Sequence, residues 1–340
     1  MTMSTQAGWL AAYVPWPATG QERSAVRNSP PLVSARSFRA LVVAVVMAAA
    51  AALVAASAVA PASSAGGASV DPYAGLGTWV DVYDGAQWAE PERAIEAMSL
   101  YGVATLFLQT SNYRRAEDVV RPDLVARFIA SAHDHGINVV GWYLPSLANP
   151  VRDLRRALRA AQFRTVDGDG FDSFALDIEA RVIRSPWRRT VSLLRLSTSI
   201  RRAVGASYAL GAIVPSGRRM RLDPGYWPGF PYKGLATSFD VFLPMTYFAY
   251  GPKGARGRAD TMEDVGLIRR RTKDPAVPIH IIGGLASLAR TSEVKAFAST
   301  ASGCGVLGMS LYDFAGTIAD QWAALSHVTG SVSPPAKSCR

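Results

Sequence analysis

Cysteine and histidine are scarce in this chain, with 2 Cys and 4 His in 340 residues. No CxxC pair and no Cys/His cluster occurs, which argues against a structural zinc. The phosphate-cradling patterns GxGxxG and GxxxxGKS/T are also absent, as is the GxSxG turn that carries a nucleophilic serine. Lysine is rare too, with five residues, all beyond position 70, so arginine carries most of the positive charge. Charged residues make up only 18% against 49% hydrophobic, which excludes a disordered or collagen-like chain and leaves enough apolar side chains for a large core. The net charge is +10, from 36 basic and 26 acidic residues. Such a surplus permits attraction to anionic polymers, but it does not mark a nucleic-acid binder, and no nucleic acid is expected as a partner.

Two stretches stand apart in composition. Residues 1–35 show no periodicity; Arg36 and Arg39 follow, then an uncharged run from Ala40 to Ala60 and a stretch of Pro, Ser, Gly and Ala up to Val70. Basic residues, an apolar run and small residues in that order describe a secretory signal. The run also has the length of a bilayer span, so the expectation for 1–70 is a cleaved leader, or else a membrane anchor over 40–60. Either way the body is exported, secreted or associated with the cell wall, and a membrane is a partner only if the leader stays uncleaved. In an oxidising compartment Cys304 and Cys339 have the opportunity to pair and tie the tail 331–340 to the body.

From Gly75 onward, short β-rich runs alternate with amphipathic stretches. The strand candidates are Thr78–Val82, Thr105–Gln109, Asn138–Tyr143, Phe174–Ile178, Ala209–Val214, Val241–Thr246, Pro278–Ile282 and Val306–Leu311. Helices are expected between them. One begins at Pro91, one spans Asp123–His135, one spans Pro150–Phe163 capped by Asn149, one spans Arg188–Val204 ending at Gly205, and one covers Ser292–Ser299. In the helix from Pro150, Arg152, Arg155, Arg156 and Arg159 are read as the wet side. Eight strand-then-helix units in about 250 residues predict an α/β fold, a single-domain (β/α)8 TIM barrel over 71–330, rather than an open doubly wound sheet.

In such a barrel the chemistry stands at the carboxyl ends of the strands. Those ends carry Trp79 and Asp81, then Gln109 and Tyr113, Trp142 and Tyr143, Asp177 and Glu179, Met245 and Tyr247, and Tyr312 and Asp313. Aromatic faces ringed by hydrogen-bonding groups suit a carbohydrate cleft. Asp177 and Glu179 are two apart on a strand and project from one face, inward if Ala175 points inward. Two close carboxyls repel, so one retains a proton near neutral pH, as acid-assisted glycosidic cleavage requires. The alternative is a structural pair between Asp177 and an arginine such as Arg181. His133, His135, His280 and His327 all lie away from the strands' carboxyl ends, which disfavours an imidazole-ligated metal centre, and neither metal nor cofactor is expected.

The segment Asp172-Ser-Phe-Ala175-Leu-Asp177-Ile-Glu179 resembles the DGxDxDxE signature of the chitinase-type family 18 glycoside hydrolases, and Met245-Thr246-Tyr247 resembles that family's Met-x-Tyr. The resemblance implies Glu179 as general acid, Asp177 as its switching neighbour, and a Tyr247 hydroxyl that steadies the substrate. Ser173, Ala175 and Phe248 depart from the pattern, as does the lack of a tryptophan on the last strand. If cleavage is not substrate-assisted, a second carboxylate must come from Asp81 or Asp313, with Asp84 less well placed.

The chain is therefore expected to be a monomeric, secreted glycoside hydrolase acting on a cell-wall or environmental polysaccharide. Its catalytic residues would be Glu179, Asp177, Tyr247 and Asp81. Its substrate-binding residues would be Trp79, Gln109, Tyr113, Trp142, Tyr143, Met245, Tyr312 and Asp313. The alternatives are an inactive glycan-binding barrel and a basic protein held to anionic surface polymers. Ser216–Lys233 reads as a substrate-contacting loop or a cover over the rim, and Tyr250–Asp260 as a flap.

Overall fold

A computed structural model describes residues 68–250, 256–326 and 339. Eight parallel strands close into a barrel in sequence order. They are β1 (Gly75–Val80), β2 (Thr105–Asn112), β3 (Asn138–Leu144), β4 (Ser173–Asp177), β5 (Leu210–Pro215), β6 (Val241–Met245), β7 (His280–Leu285) and β8 (Gly308–Tyr312). The helices are α1 (Gly85–Ala89), α2 (Pro91–Leu100), α3 (Pro122–Asp134), α4 (Pro150–Ala161), α5 (Pro186–Val204), α6 (Gly217–Leu222), α7 (Tyr232–Leu235), α8 (Arg256–Thr272), α9 (Thr291–Gly303) and α10 (Ala319–Ser326). The barrel expected from the spacing is present, with every strand candidate in place. Residues 1–67 of the expected leader and residues 331–338 and 340 of the tail lie outside the described residues, as does His327. Among the described residues no helix is long and apolar enough to cross a membrane.

Strand alternation divides the core into two shells. Outward-facing Leu106, Leu108, Val139, Phe174, Leu176 and Phe242 pack beneath the helices, while Trp79, Phe107, Val140, Trp142, Ala175, Ile213 and Leu243 fill the barrel. Trp79 stacks on Phe107 at 4.3 Å between centroids and meets Trp142 edge-on at 5.7 Å.

Lower in the barrel, His280 accounts for both its ring nitrogens. Nδ1 lies 2.8 Å from the carbonyl of Tyr73, so it carries the proton, and Nε2 accepts from the Ser310 hydroxyl at 3.0 Å. Ser310 Oγ in turn accepts from Trp79 Nε1 at 2.8 Å. Burial holds His280 neutral, with its pKa pushed down to about 4. The remaining described histidines also lie far from the strands' carboxyl ends. His133 Nε2 is 3.0 Å from Asp172 Oδ2, which also accepts the Val139 N–H at 2.7 Å, and His135 bonds the Ser131 carbonyl. Asp172, at the entry to β4, is therefore a clamp on the opposite rim from the barrel mouth.

Helix ends follow the sequence signals. Asn149 accepts the Arg152 N–H at 3.0 Å, and α5 stops at Gly205, whose φ of 83° favours glycine. One expectation fails: Arg156 is buried rather than on the wet side of α4. Its guanidinium turns toward the loop after β2 and donates to the carbonyls of Asn112, Arg115 and Ala116 at 2.7–2.9 Å. Cys304 and Cys339 form a disulfide with their Cα atoms 5.4 Å apart, and Arg269 Nη1 donates to the Cys339 carbonyl at 2.9 Å.

Candidate active site

The mouth of the barrel gathers carboxyl groups from three strands. β1 ends at Val80, and the turn that follows folds back on itself. The Asp81 N–H donates to Asp84 Oδ2 at 2.7 Å, and Trp88 Nε1 donates to the Asp81 carbonyl at 2.6 Å. Both oxygens of Asp81 accept: Oδ1 from the Tyr83 N–H at 2.6 Å and Oδ2 from the Tyr312 hydroxyl at 2.5 Å. Asp313, next along from Tyr312, accepts the Gly316 N–H at 2.8 Å. Ligand oxygens of Asp81, Asp84 and Asp313 all lie within 4.8 Å of one another, the one such group of three or more among the described residues.

Burial, and then the neighbouring charge of Asp81, pushes Asp84 up to about 8. Asp313 is raised as well, chiefly by burial. The cluster thus holds a proton near neutral pH. Three hard oxygens at this spacing suit a cation such as Ca²⁺ or Mg²⁺. Asp84, read from sequence as less well placed if β1 ran to Val82, belongs to this group because β1 ends at Val80 and the turn carries it back.

On β4, Ala175 faces into the barrel and carries Asp177 with it on the same face. Asp177 is buried, and its Oδ1 has no hydrogen-bond partner. Desolvation, followed by the charge of Glu179, holds its carboxyl well above the usual carboxylate range. Glu179 is open to solvent, yet the protein around it raises its pKa against the opposing pull of Arg219 and Arg114. Arg181 does not pair with Asp177; it lies 3.5 Å from Asp223.

The other expected residues separate by depth. Rings run upward from Phe107 through Trp79 and Tyr312 to Tyr247, with successive centroids 4.3, 6.1 and 6.3 Å apart. Tyr312 and Tyr247 are half-buried at the mouth, and Tyr247 has a φ of 20°, an uncommon backbone geometry for a side chain of its size. Trp79 and Trp142 are buried inside the barrel and belong to its filling; Trp142 Nε1 donates to the Phe107 carbonyl at 3.3 Å. Met245 is buried beneath Tyr247 in the chain.

Gln109 is also buried, and its Oε1 accepts the Val82 N–H at 3.0 Å, stapling the turn after β1. Tyr113 is half-buried, with its hydroxyl 3.2 Å from Arg114 Nε. Tyr143 stands apart from the group. It is adjacent to the inward Trp142 and so faces the helices, where its hydroxyl donates to Asp153 at 2.7 Å.

Tyr226 escaped sequence reasoning. It lies in the segment between β5 and β6, and its hydroxyl donates to the Glu179 carbonyl at 2.9 Å. The neighbouring Trp227 is buried and donates through Nε1 to Thr190 at 2.9 Å, so much of this segment is a cover packed against α5. The expected flap lies in part outside the described residues, and from Arg256 it is the first turn of α8. From that helix, Asp264 accepts the Gly217 N–H at 2.5 Å and the Thr246 hydroxyl at 2.7 Å, pinning the start of α6 to the end of β6.

No protein-family model and no curated protein matches the chain. Solved structures do match it in fold. A chitinase from Chromobacterium violaceum superposes with a TM-score of 0.55 at 15% identity, over 76% of this chain and 99% of that one. A family 18 N-acetylglucosaminidase from Paenibacillus barengoltzii gives 0.53 at 12% identity, over 75% and 99%. An endo-β-1,4-mannanase from Thermotoga petrophila gives 0.55 at 12% identity, over 75% and 76%. Chitin-type and mannan-type enzymes match about equally well, so the likeness is not specific to the family 18 pattern read in β4. What this chain shares with them is the fold, a closed barrel of eight parallel strands.

Proposed function

We propose that this chain is an exported glycoside hydrolase acting on a polysaccharide, with its reaction centre at Glu179 and Asp177. The observation that carries this reading is Asp177: a buried carboxyl, inward-facing at the mouth, with an oxygen no protein group satisfies, two residues from a solvent-reached glutamate. Leaving a buried polar atom unpaired costs about 1–3 kcal/mol, and such sites are where a ligand or a shared proton is expected. Glu179 donates its proton to the glycosidic oxygen as the bond to the anomeric carbon breaks. Asp177 then shares a proton with it and keeps the pair from carrying two full charges.

Asp81, with Tyr312 bonded to it, supplies the second carboxylate, toward water or toward the anomeric carbon. Tyr247 and Tyr312 offer their rings and hydroxyls to the sugar. The disulfide between Cys304 and Cys339 supports an oxidising compartment and hence export. A catalytically silent glycan binder is the second reading, favoured by buried Ala175 where the resembled signature has its middle carboxylate.

Replacing Glu179 by Gln keeps the shape and removes the proton. Release of reducing ends from a polysaccharide panel should be abolished, with unchanged melting and retained glycan binding. Full activity in that variant would overturn the assignment, and binding without cleavage by the native chain would establish the second reading.

A further inference from the structure

One side of the mouth is built from arginine. Around the ring of Tyr226, the guanidinium carbons of Arg219, Arg181 and Arg189 lie 4.9, 5.2 and 6.0 Å from its centroid. Arg181 and Arg219 share Asp223, at 3.5 and 3.7 Å, and both remain partly open to solvent. Arg189 is buried. Its Nη2 donates to the Tyr226 carbonyl and its guanidinium lies 4.2 Å over the Trp227 ring, while Nε and Nη1 have no hydrogen-bond partner. A fourth arginine, Arg114 in the loop after β2, acts on Glu179 from another part of the rim.

Tyr226 ties this group to the reaction centre through its bond to the Glu179 carbonyl. The acids Asp81, Asp84 and Asp313 stand instead after β1 and β8. The mouth is therefore divided: Asp81, Asp84 and Asp313 cluster on the β1/β8 side, while the guanidiniums gather beside the Asp177 and Glu179 pair on the β4/β5 side.

A neutral sugar gives no return for holding several guanidiniums together, one of them buried with two unpaired nitrogens. Guanidinium groups match carboxylate, phosphate and sulfate oxygens in pairs, and their hydrogen bonds strengthen when the partner is charged. We infer that the substrate is an anionic polysaccharide, whose charged substituent is received by Arg181 and Arg219 beside Tyr226 while the neighbouring glycosidic bond lies at Glu179. The inference rests on the hydrolase reading for its site and adds the class of substrate. Arg189, behind Tyr226, contributes fixed positive charge, and Arg114 extends the field toward the next sugar.

The test uses the full chain carrying Glu179→Gln and three matched pairs of polymers. These are polygalacturonate with its methyl ester, dextran sulfate with dextran, and phosphomannan with mannan. Binding to at least one anionic member should exceed its neutral partner by about tenfold or more, and the preferred pair identifies the substituent. Arg181→Gln with Arg219→Gln should remove that preference while leaving affinity for the neutral partner in place. Should the double variant fail to fold, Arg114→Gln on the exposed loop should reduce the preference severalfold. Equal binding of charged and neutral partners, or a preference untouched by these substitutions, overturns the inference. Cleavage by the native chain is read separately. Cleavage of neutral polymers without charge preference sinks this inference alone, whereas anionic binding with no cleavage sinks the hydrolase reading alone.

Discussion

The hydroxyl of Tyr312 donates to Asp81 Oδ2 at 2.5 Å, joining the end of β8 to the turn after β1 across the point where the barrel closes. Burial, and then the charge of Asp81, holds the phenol well above its ordinary pKa, so it remains a donor. With Oδ1 accepting the Tyr83 N–H, both oxygens of Asp81 are held and the carboxylate keeps one orientation at the mouth.

Tyr312→Phe removes this donor with little change in volume. A hydrogen bond to a charged group contributes about 1.5–3 kcal/mol, so turnover should fall roughly 10- to 100-fold. Steady-state rates on the best polymer, alongside a melting curve, check it. Undiminished turnover would remove Asp81 from the reaction.

His280 makes stability sensitive to acid. Its folded pKa of about 4 lies below the ordinary 6.5, so between those values the unfolded chain binds a proton that the folded barrel refuses. The stability contributed by neutral His280 should therefore be full above about pH 6.5 and decline as the pH falls toward 4, against the opposite trend from the raised carboxyls of Asp84, Asp177 and Asp313. At pH 5 the loss is about 2 kcal/mol. Urea unfolding of the native chain and of His280→Gln, each at pH 7 and pH 5, isolates it: the native chain should lose that much relative to the variant.

Gly308 admits no side chain. A Cβ there would overlap the Tyr73 carbonyl and His280 Nδ1, and would reach 2.8 Å from the Gly75 carbonyl. Gly308→Ala should cost about 1–3 kcal/mol or more, because backbone and a locked imidazole are what must move. A shift of the urea midpoint reads it directly, and an unchanged midpoint would show that the base of the barrel yields more than its packing suggests.

Much of the barrel is legible in the chain because it rests on local rules. β-rich runs at regular spacing, the Asn149 cap and the Gly205 stop each act within a few residues. Asp177 is legible for the same reason, since strand parity ties it to Ala175. Parity also speaks against Tyr143 once Trp142 is taken as inward, because adjacent strand residues face opposite ways. Other features required contacts far along the chain. Arg156 lies beside Asp153, Ala157 and Ala160 on the buried face of α4, and it turns inward only because loop carbonyls after β2 need donors. Tyr226 sits in a long connection whose sequence carries no period, and only folding brings its hydroxyl to Glu179. The depth of Trp79 and Trp142 depends on how far each strand extends, which composition does not set.

Asp264 has a consequence for the mouth as a working part. One carboxyl grips both the turn that launches α6 and the last residues of β6, so Arg219 on one and Tyr247 beyond the other ride on a shared brace. β5 and β6 are neighbours in the barrel, so Arg219 and Tyr247 stand side by side on the rim, both held by this one helix. A change along α8 that shifts Asp264 should therefore displace both residues together.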